Sequence, residues 1–195
     1  MGTSLHPFVE CRGDDGWEYI ETDITHPGGY AMMACLFGWR NYCNYEPIAG
    51  ERGFPDDLSD ELGRLLESPP TCSWIGLWEI ERIDWSETAE DIDSRTSFYD
   101  AEGNYVKKVG GFLLPVGAED EGYMDSVNAG EAVTVTLTDD YFEFDAGDEV
   151  TLVRELRDRA YAKTDGWEAN FDTMRRLAGE YGGEENVRLI AVAMG

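Results

Sequence analysis

Two arginines, Arg40 and Arg52, lie in a long segment, residues 39–57, that shows neither helical nor strand periodicity. The planar guanidinium group of arginine can grip a phosphate or a carboxylate through two parallel hydrogen bonds. Long loops without secondary structure inside a compact domain are usually functional. The sequence therefore predicts that this loop binds a small ligand, although for the two arginines themselves the favoured alternative is that each fastens the loop by pairing with one of the chain's many carboxylates.

The predicted ligand-binding residues lie in this loop or in the segment beyond the helix that follows it. They are Arg40, Asn41, Arg52, Asp57, Ser73 and Trp74. Ser73 has no Gly-x-Ser-x-Gly context, so we expect a helix N-cap there rather than a nucleophile. The helical spacing of Trp74, Leu77 and Trp78 favours packing in a core over a stacking surface. Asp57 could simply complement the dipole of the helix that begins just after it.

His6 is the candidate for catalysis, as a general base at the beginning of a strand. That role needs an orienting carboxylate and a substrate within hydrogen-bond reach, and the alternative is a polar residue at a strand end. The four cysteines include no Cys-x-x-Cys pair, and His26 is the only other histidine. The sequence therefore predicts no metal site and free thiols rather than disulfides. No glycine-rich phosphate loop is present, and the cofactor stays unknown.

The charged residues are strongly biased, with 41 Asp and Glu against 15 Lys and Arg and a net charge of −26. In dilute buffer such a surface repels itself, whereas at molar salt the Debye length falls to about 3 Å and the repulsion is screened. Lysine, whose apolar stem favours aggregation in high salt, is rare here compared with arginine. We therefore expect a protein adapted to a high-salt cytoplasm. The alternatives are an ordinary acidic protein or a DNA mimic, whose carboxylates would lie in rows.

The same charge distribution argues against several partners. No basic stripe exists that could release counterions from nucleic acid or attach to an anionic membrane, so direct binding to either is disfavoured. A signal-like segment and a run of about 18 apolar residues are both missing, which favours a cytoplasmic protein, or a virion component if the protein is structural. The expected partners are a small-molecule or nucleotide ligand, or a viral or host protein, and the oligomeric state stays open.

The pattern of apolar, polar and turn-forming residues along the chain predicts an α+β protein with a single domain over residues 1–195. We expect a mixed or antiparallel sheet with strands at both chain ends and three to four helices packed on it. The predicted strands are residues 5–11, 17–22, 96–99, 105–109, 112–116, 132–138 and 187–193. The predicted helices are residues 30–37, 59–67, one that begins at Ser73, and 165–181. Residues 151–162 suit either class, and residues 86–130 are predicted to be a variable acidic insertion with a hairpin.

Several phrases of the chain occur in a recognisable order. It begins Met1-Gly2-Thr3-Ser4-Leu5-His6, and later carries Arg52-Gly53-Phe54-Pro55-Asp56-Asp57-Leu58-Ser59 and Cys72-Ser73-Trp74-Ile75-Gly76-Leu77-Trp78-Glu79. In order and spacing these phrases resemble a protein family of bacteriophages and prophages whose members begin Met-Gly-Cys-Asp-Ile-His. The resemblance covers residues 1–85 and 165–193, and implies a divergent, salt-adapted relative that serves as a viral or proviral accessory protein.

The departures from that family bear on catalysis. The family's Cys-Asp at the start is Thr3-Ser4 here, and its paired histidines are replaced by Pro70 and Cys72. If those positions form a polar or metal site in the relatives, most of its ligands are missing in this chain. Three hypotheses follow. The first is an accessory protein that binds a host-derived, nucleotide-like small ligand without robust catalysis. The second is a hydrolase, with or without a metal, centred on His6, and the third is a virion structural or assembly component.

Overall fold

The fold is known from a computed structural model, which describes residues 4–66, 71–117 and 120–194. The chain falls into two compact units. We call Met1–Asn41, Glu46–Glu87 and Arg159–Gly195 the terminal unit, and Tyr42–Tyr45 and Thr88–Asp158 the inserted unit. Each unit holds one four-stranded antiparallel sheet. The predicted α+β class is confirmed.

The strands and helices alternate irregularly along the chain. The strands are β1 (Ser4–Gly13), β2 (Gly16–Ile20), β3 (Thr71–Gly76), β4 (Arg95–Tyr99), β5 (Tyr105–Gly110), β6 (Val133–Thr136), β7 (Glu149–Val153) and β8 (Val187–Met194). The helices are α1 (Ala31–Phe37), α2 (Asp60–Leu65), α3 (Leu77–Ile80), α4 (Tyr123–Asn128) and α5 (Asp165–Glu180). Short 3-10 helices cover Arg159–Ala162 and Glu184–Asn186.

The sheet of the terminal unit has the strand order β2-β1-β8-β3, so the two ends of the chain pair at its centre. The predicted strands at both chain ends are confirmed, and β8, which has a neighbouring strand on each side, is buried from Val187 to Ala193. On one face Ile190 and Val192 pack against Leu62 and Leu66 from α2 and its C-terminal cap. The long helix α5 contacts β1 and β8.

The helix boundaries of the terminal unit follow from local sequence. Gly38 ends α1 in the left-handed conformation, with φ of 75°, and the Ser59 hydroxyl caps α2 by accepting a hydrogen bond from Leu62 N at 3.3 Å. Both caps were predicted. Leu65 was expected on the buried face of α2 but is 58% exposed, because α2 is short and its contacts end with Leu62 and Leu66. Glu67, the predicted end, lies outside the described residues.

The prediction that a helix begins at Ser73 is wrong. Residues 71–76 form β3, which pairs with β8 over its whole length, so that Ser73 lies opposite Ala191 and Trp74 opposite Ile190. Without β3 one edge of the apolar strand β8 would be unpaired, and pairing that edge outweighs the helical spacing of the apolar residues. The helix begins only after Gly76 and is a single turn, α3.

The sheet of the inserted unit has the order β5-β4-β7-β6 and encloses its own core around Phe98, Leu152 and Val127. The predicted hairpin is β4 and β5, and the ambiguous segment 151–162 resolves into the end of β7 and a 3-10 helix. Residues 112–116 form no strand among the described residues; Val116 makes a single bridge to Leu137. The helix α4 was not predicted. The predicted acidic insertion, 86–130, covers about the first half of this unit.

One buried ion-pair cluster fastens the inserted unit. Asp93 is fully buried and accepts hydrogen bonds from the Arg95 guanidinium at 3.0 and 3.1 Å and from the Lys108 ammonium at 2.7 Å. Burial alone would raise the pKa of Asp93, but the hydrogen bonds from the two cations outweigh it and hold that pKa below its usual value. The cluster ties the start of β4 to β5.

Candidate functional site

A buried ion pair lies at the centre of the terminal sheet. Arg188 on β8 faces Glu10 on β1 directly across the strands, and their side chains are 2% and 0% exposed. The Arg188 Nη2 atom is 2.7 Å from Glu10 Oε2, and Nε is 2.8 Å from the same oxygen. The other oxygen of Glu10 accepts the Ser59 backbone N–H at 2.9 Å, just before α2. A buried pair of this kind is stable only when its remaining hydrogen-bonding groups are also satisfied, as they are here.

Asp57, at the end of the predicted loop, completes this arrangement. Arg188 Nη1 donates to Asp57 Oδ1 at 2.6 Å, and Nη2 donates to the Asp57 carbonyl at 3.0 Å. The indole N–H of Trp17 donates to Asp57 Oδ2 at 2.8 Å. Burial raises the pKa of Asp57, but the hydrogen bond and charge of Arg188 and the hydrogen bond from Trp17 outweigh it and lower that pKa. The carboxylate is therefore ionised and holds the loop against β2 and β8.

Two tryptophans lie against the Arg188 guanidinium. Its Cζ atom is 3.9 Å from the centroid of Trp17 and 5.6 Å from the centroid of Trp74. Arg12 lies 5.6 Å from the same Trp17 ring and donates two hydrogen bonds to Asn186 Oδ1, at 3.1 and 2.9 Å. Guanidinium groups over indole rings are attracted to the negative face of the π-system. The buried cation therefore fixes the position of both rings.

These side chains line a pocket of about 390 Å³, which we call the tryptophan pocket. Its main walls are Arg12, Trp17, Asp57, Trp74, Trp78 and Arg188. Trp78 is 43% exposed, and Gly76 lets its indole lie close to β3 because a Cβ atom at that glycine would be 2.6 Å from Trp78 Nε1. The pocket is thus lined by three indole side chains, of which Trp78 is exposed to solvent over less than half of its surface.

Arg52 stabilises the fold through contacts with its neighbours. It forms a bidentate ion pair with Glu79, at 2.7 and 2.9 Å, and lies 5.2 Å above the Trp74 ring. It also donates to the carbonyls of Ile48 and Trp74, at 3.3 and 3.4 Å. Burial raises the pKa of Glu79, but hydrogen bonds from Arg52 and from Gly76 N outweigh it and lower that pKa. For Arg52 the structure thus supports the alternative that it fastens the loop.

Ser73 is fully buried beneath the same loop. Its hydroxyl donates to the Ala49 carbonyl at 2.5 Å and accepts the Arg52 backbone N–H at 3.3 Å. It is therefore neither a helix cap nor exposed to a ligand. Its contribution is to hold residues 49–52 on β3.

A second pocket, of about 570 Å³, lies along the loop itself. It is lined by Trp39, Asn41, Glu46, Glu51 and Arg52, among others. We call it the loop pocket. Of the predicted ligand-binding residues, Asn41 and Arg52 line the loop pocket and Asp57 and Trp74 line the tryptophan pocket.

His6 and Arg40 line neither of these two pockets. Arg40 lies 4.4 Å above the ring of Tyr30, which in turn is 6.3 Å from the ring of His26. Burial lowers the pKa of His26, and the charge of His6 lowers it further. The structure thus places Asp57 and Trp74 in one pocket, with Arg52 over the Trp74 ring, and His6 and Arg40 are not among the residues that line either pocket.

Sequence reasoning missed Glu10, Trp17 and Arg188, which build the site. A signal for them existed: Glu10 lies between Val9 and Cys11, and Arg188 lies within the apolar segment 187–193. A carboxylate flanked by apolar residues in one strand and a guanidinium within an apolar segment of another indicate a buried pair once the two strands are known to be neighbours.

The site offers no ligand set for a metal. Within residues 4–66, 71–117 and 120–194, no group of three or more His, Cys, Asp or Glu side chains could hold a metal ion. None of the four cysteines, all of which lie in the described ranges, forms a disulfide; Cys11, Cys35 and Cys43 are buried and Cys72 is partly buried. In the same described ranges, no helix is long and apolar enough to cross a membrane.

Comparison of the chain with protein-family models, with curated proteins and with solved structures finds no match.

Proposed function

We propose that the chain binds a small planar ligand, nucleotide-like in size and shape, in the tryptophan pocket, and that binding rather than catalysis is its function. The observation that supports this most is the clamping of Arg188 by Glu10 and Asp57 beneath the two indole rings. A pocket whose walls are held by a buried ion pair loses little freedom when a ligand enters, which favours affinity.

The chemistry of the walls suits a flat heterocycle. Each aromatic side chain that stacks on a base contributes about 1–3 kcal/mol to binding. Trp78 is 43% exposed, with the Arg82 guanidinium 5.4 Å from the centroid of its ring. The Asp57 side chain is 63% exposed and offers carboxylate oxygens at the pocket wall. Stacking provides affinity without base specificity, and hydrogen bonds to Asp57 would select for N–H groups on the heterocycle's edge.

Catalysis has less support. The main walls of the tryptophan pocket are tryptophan, arginine and aspartate side chains, with no serine, cysteine or histidine among the lining residues. His6, the centre of the hydrolase hypothesis, lines neither this pocket nor the loop pocket. The binding hypothesis therefore accounts for more of the site than the hydrolase hypothesis does.

The biological setting belongs to the same proposal. The resemblance of residues 1–85 to the bacteriophage and prophage family supports a viral or proviral accessory protein. The net charge of −26 supports a host with a salt-rich cytoplasm. In that setting the ligand would be a small molecule made by the host cell.

A binding experiment with two matched tryptophan variants tests the proposal. Calorimetric titration of common ribonucleotides would be run in about 2 M KCl, where surface repulsion is screened. Trp78→Ala removes an exposed indole from the wall of the tryptophan pocket, and Trp39→Ala removes the tryptophan that lines the loop pocket. We expect saturable binding that Trp78→Ala weakens by about tenfold or more and Trp39→Ala leaves unchanged. Absence of binding by every ribonucleotide, or loss of binding only in Trp39→Ala, would overturn the proposal.

A further inference from the structure

The loop pocket carries chemistry that the proposed function does not use. It shares no lining residue with the tryptophan pocket, and its volume of about 570 Å³ is in the range of cavities that hold small ligands. Its lining includes the indole of Trp39 and the carboxylates of Glu46 and Glu51. Trp39 is partly buried and both glutamates are exposed, so all three side chains can meet a ligand from solvent.

The loop folds back on the end of α1 beside this pocket. The Ala49 backbone N–H donates to the Leu36 carbonyl at 2.7 Å. Pro47 packs against two glycines, because a Cβ atom added at Gly38 or at Gly50 would lie 3.2 or 3.3 Å from Pro47 Cγ. The backbone at these three positions therefore meets at one point.

The indole and the two carboxylates start from that point. Trp39, Glu46 and Glu51 are each next in sequence to one of the three residues that meet there. Since consecutive Cα atoms are only about 3.8 Å apart, the three side chains leave the backbone close to one another at the wall of one pocket.

Trp39 differs from the other tryptophans that are not fully buried. A guanidinium or ammonium group of the chain lies within 5.6 Å of the ring centroid in each of those four, which are Trp17, Trp74, Trp78 and Trp85. In the described part of the chain no cation lies over Trp39, whose ring instead contacts that of Phe37 at 5.2 Å between centroids. The π-system of Trp39 can therefore accept a cation from a ligand.

The charges that line the loop pocket favour a cation as well. Neither Glu46 nor Glu51 forms an ion pair with any residue in the described ranges. Arg52, the cation in the lining, is balanced by its bidentate pair with Glu79, at 2.7 and 2.9 Å. The two uncompensated carboxylates give the pocket a negative potential, which attracts a cation and repels an anion.

We infer that the loop pocket is a second binding site, which takes a small organic cation with its ammonium group against the Trp39 ring and beside Glu46 and Glu51. A metal ion has less support, since no group of three or more His, Cys, Asp or Glu side chains within residues 4–66, 71–117 and 120–194 could hold one. An ammonium group on an apolar body gains both from the ring and from the carboxylates. The inference does not depend on the proposed function, because the two pockets share no residue.

Titration with two probes of nearly equal shape tests this inference. Choline and 3,3-dimethylbutan-1-ol differ in that only choline carries a positive charge, and ligand-observed NMR in about 2 M KCl would give both dissociation constants. We expect choline to bind about tenfold more tightly than the alcohol and to shift the indole N–H signal of Trp39, with the signals of the tryptophan pocket unchanged. Ethanolamine, titrated in parallel, shows whether a primary ammonium group, which can donate hydrogen bonds to the carboxylates, is preferred to a quaternary one.

Three variants and a matched control locate the cation. Trp39→Ala should remove most of the preference for choline over the alcohol, and Glu46→Gln and Glu51→Gln should each weaken choline binding about twofold or more. The two glutamine variants change exposed side chains, so they keep the test decisive if Trp39→Ala does not fold. Glu131→Gln is the control and should leave binding unchanged, because Glu131 is exposed, lies in the inserted unit and does not line the loop pocket.

The outcomes separate this inference from the proposed function. Tighter binding of either cation than of the alcohol, lost in Trp39→Ala, supports the second site. Equal binding of cations and alcohol, a preference that survives all three substitutions, or shifts confined to the tryptophan pocket overturns it. None of these results bears on the proposed function, which the ribonucleotide titration tests separately.

Discussion

Arg188 and Glu10 are 178 residues apart in sequence and directly opposite one another in the sheet, and their side chains form a buried ion pair with an N–O distance of 2.7 Å. This pair connects the two ends of the chain to the loop, because the same guanidinium also binds Asp57. It lies beneath the indole rings that we propose as the ligand's platform. The ion pair therefore stabilises the fold and shapes the site at once.

Breaking this pair should destabilise the protein strongly. Removing one partner of a buried ion pair leaves an uncompensated charge and costs about 3–5 kcal/mol. We expect Glu10→Gln to lower the free energy of unfolding by about 3 kcal/mol, measured by denaturant titration at constant KCl. The double variant Glu10→Leu with Arg188→Met should recover part of that loss, since an apolar pair has no charge to bury. A Glu10→Gln protein as stable as the wild type would show that the pair is not buried.

The Arg52–Glu79 pair should hold the loop rather than the ligand. Their side chains are 28% and 14% exposed, so the bidentate pair is only partly screened by solvent. Arg52→Gln should cost about 1–3 kcal/mol and speed protease cleavage within residues 46–58. The exposed pair of Arg176 and Glu180 provides the control: Arg176→Gln should cost about 0.5 kcal/mol or less. Equal effects of the two substitutions would contradict this role for Arg52.

Gly76 should matter for binding more than for folding. Its backbone has φ of −74° and ψ of 148°, which alanine adopts without strain, but a Cβ atom would lie 2.6 Å from Trp78 Nε1. We expect Gly76→Ala to displace the Trp78 indole, weaken ligand binding several-fold and change the melting temperature little. Gly179→Ala on α5, where an added Cβ meets no atom within 4 Å, is the control and should leave binding unchanged. A Gly76→Ala protein with full affinity would show that Trp78 does not contact the ligand.

Acid should unfold the inserted unit through Asp93. The pKa of Asp93 is held below its ordinary value by the hydrogen bonds of Arg95 and Lys108, which outweigh the opposing effect of burial. A carboxyl group with a lowered folded-state pKa contributes stability above its unfolded pKa, about 3.9, and loses it as the pH falls through the folded value. Stability should therefore decline below about pH 4. Asp93→Asn should lower stability at neutral pH and flatten this decline, as measured by denaturant titrations across the acid range; an unchanged acid slope would contradict the assignment.

Salt should stabilise the folded chain. Because the net charge is −26, raising KCl from about 0.1 M to about 3 M shortens the Debye length several-fold and screens the repulsion. We expect the melting temperature to rise by several degrees or more over that range. A melting temperature that stays constant or falls would argue against adaptation to a salt-rich cell.

Local sequence predicted the parts of this fold that local physics controls. The cap at Ser59 and the stop at Gly38 are set by neighbouring residues, and both were predicted. The strand β3 was missed because the residues Trp74 and Leu77 suit a helix, and only the unpaired edge of β8, far away in sequence, requires a strand there. The helical spacing of neighbouring residues thus competed with the pairing of distant strands. The strand order of the sheet decided the outcome, and that order cannot be read from the sequence.

Only part of the site was predicted, because the rest depends on which strands are neighbours. A long aperiodic loop indicated Arg52 and Asp57, and both lie where the loop meets the sheet. Trp17 and Arg188 were missed because their contact with Asp57 depends on which strands are neighbours. Ser73 was assigned to the right region but the wrong role, since its burial follows from β3 being a strand.

The tryptophan indole N–H signals provide the most direct test of ligand binding in the tryptophan pocket. The chain has six tryptophans, so a nitrogen–proton correlation NMR spectrum should contain six such signals, assignable by single substitutions. On titration with a ribonucleoside monophosphate in high KCl, we predict saturable shifts for Trp17, Trp74 and Trp78. The signals of Trp39, Trp85 and Trp167, which do not line this pocket, should stay in place. Shifts confined to Trp39, or no shift in any of the six signals at saturating ligand, would contradict the account.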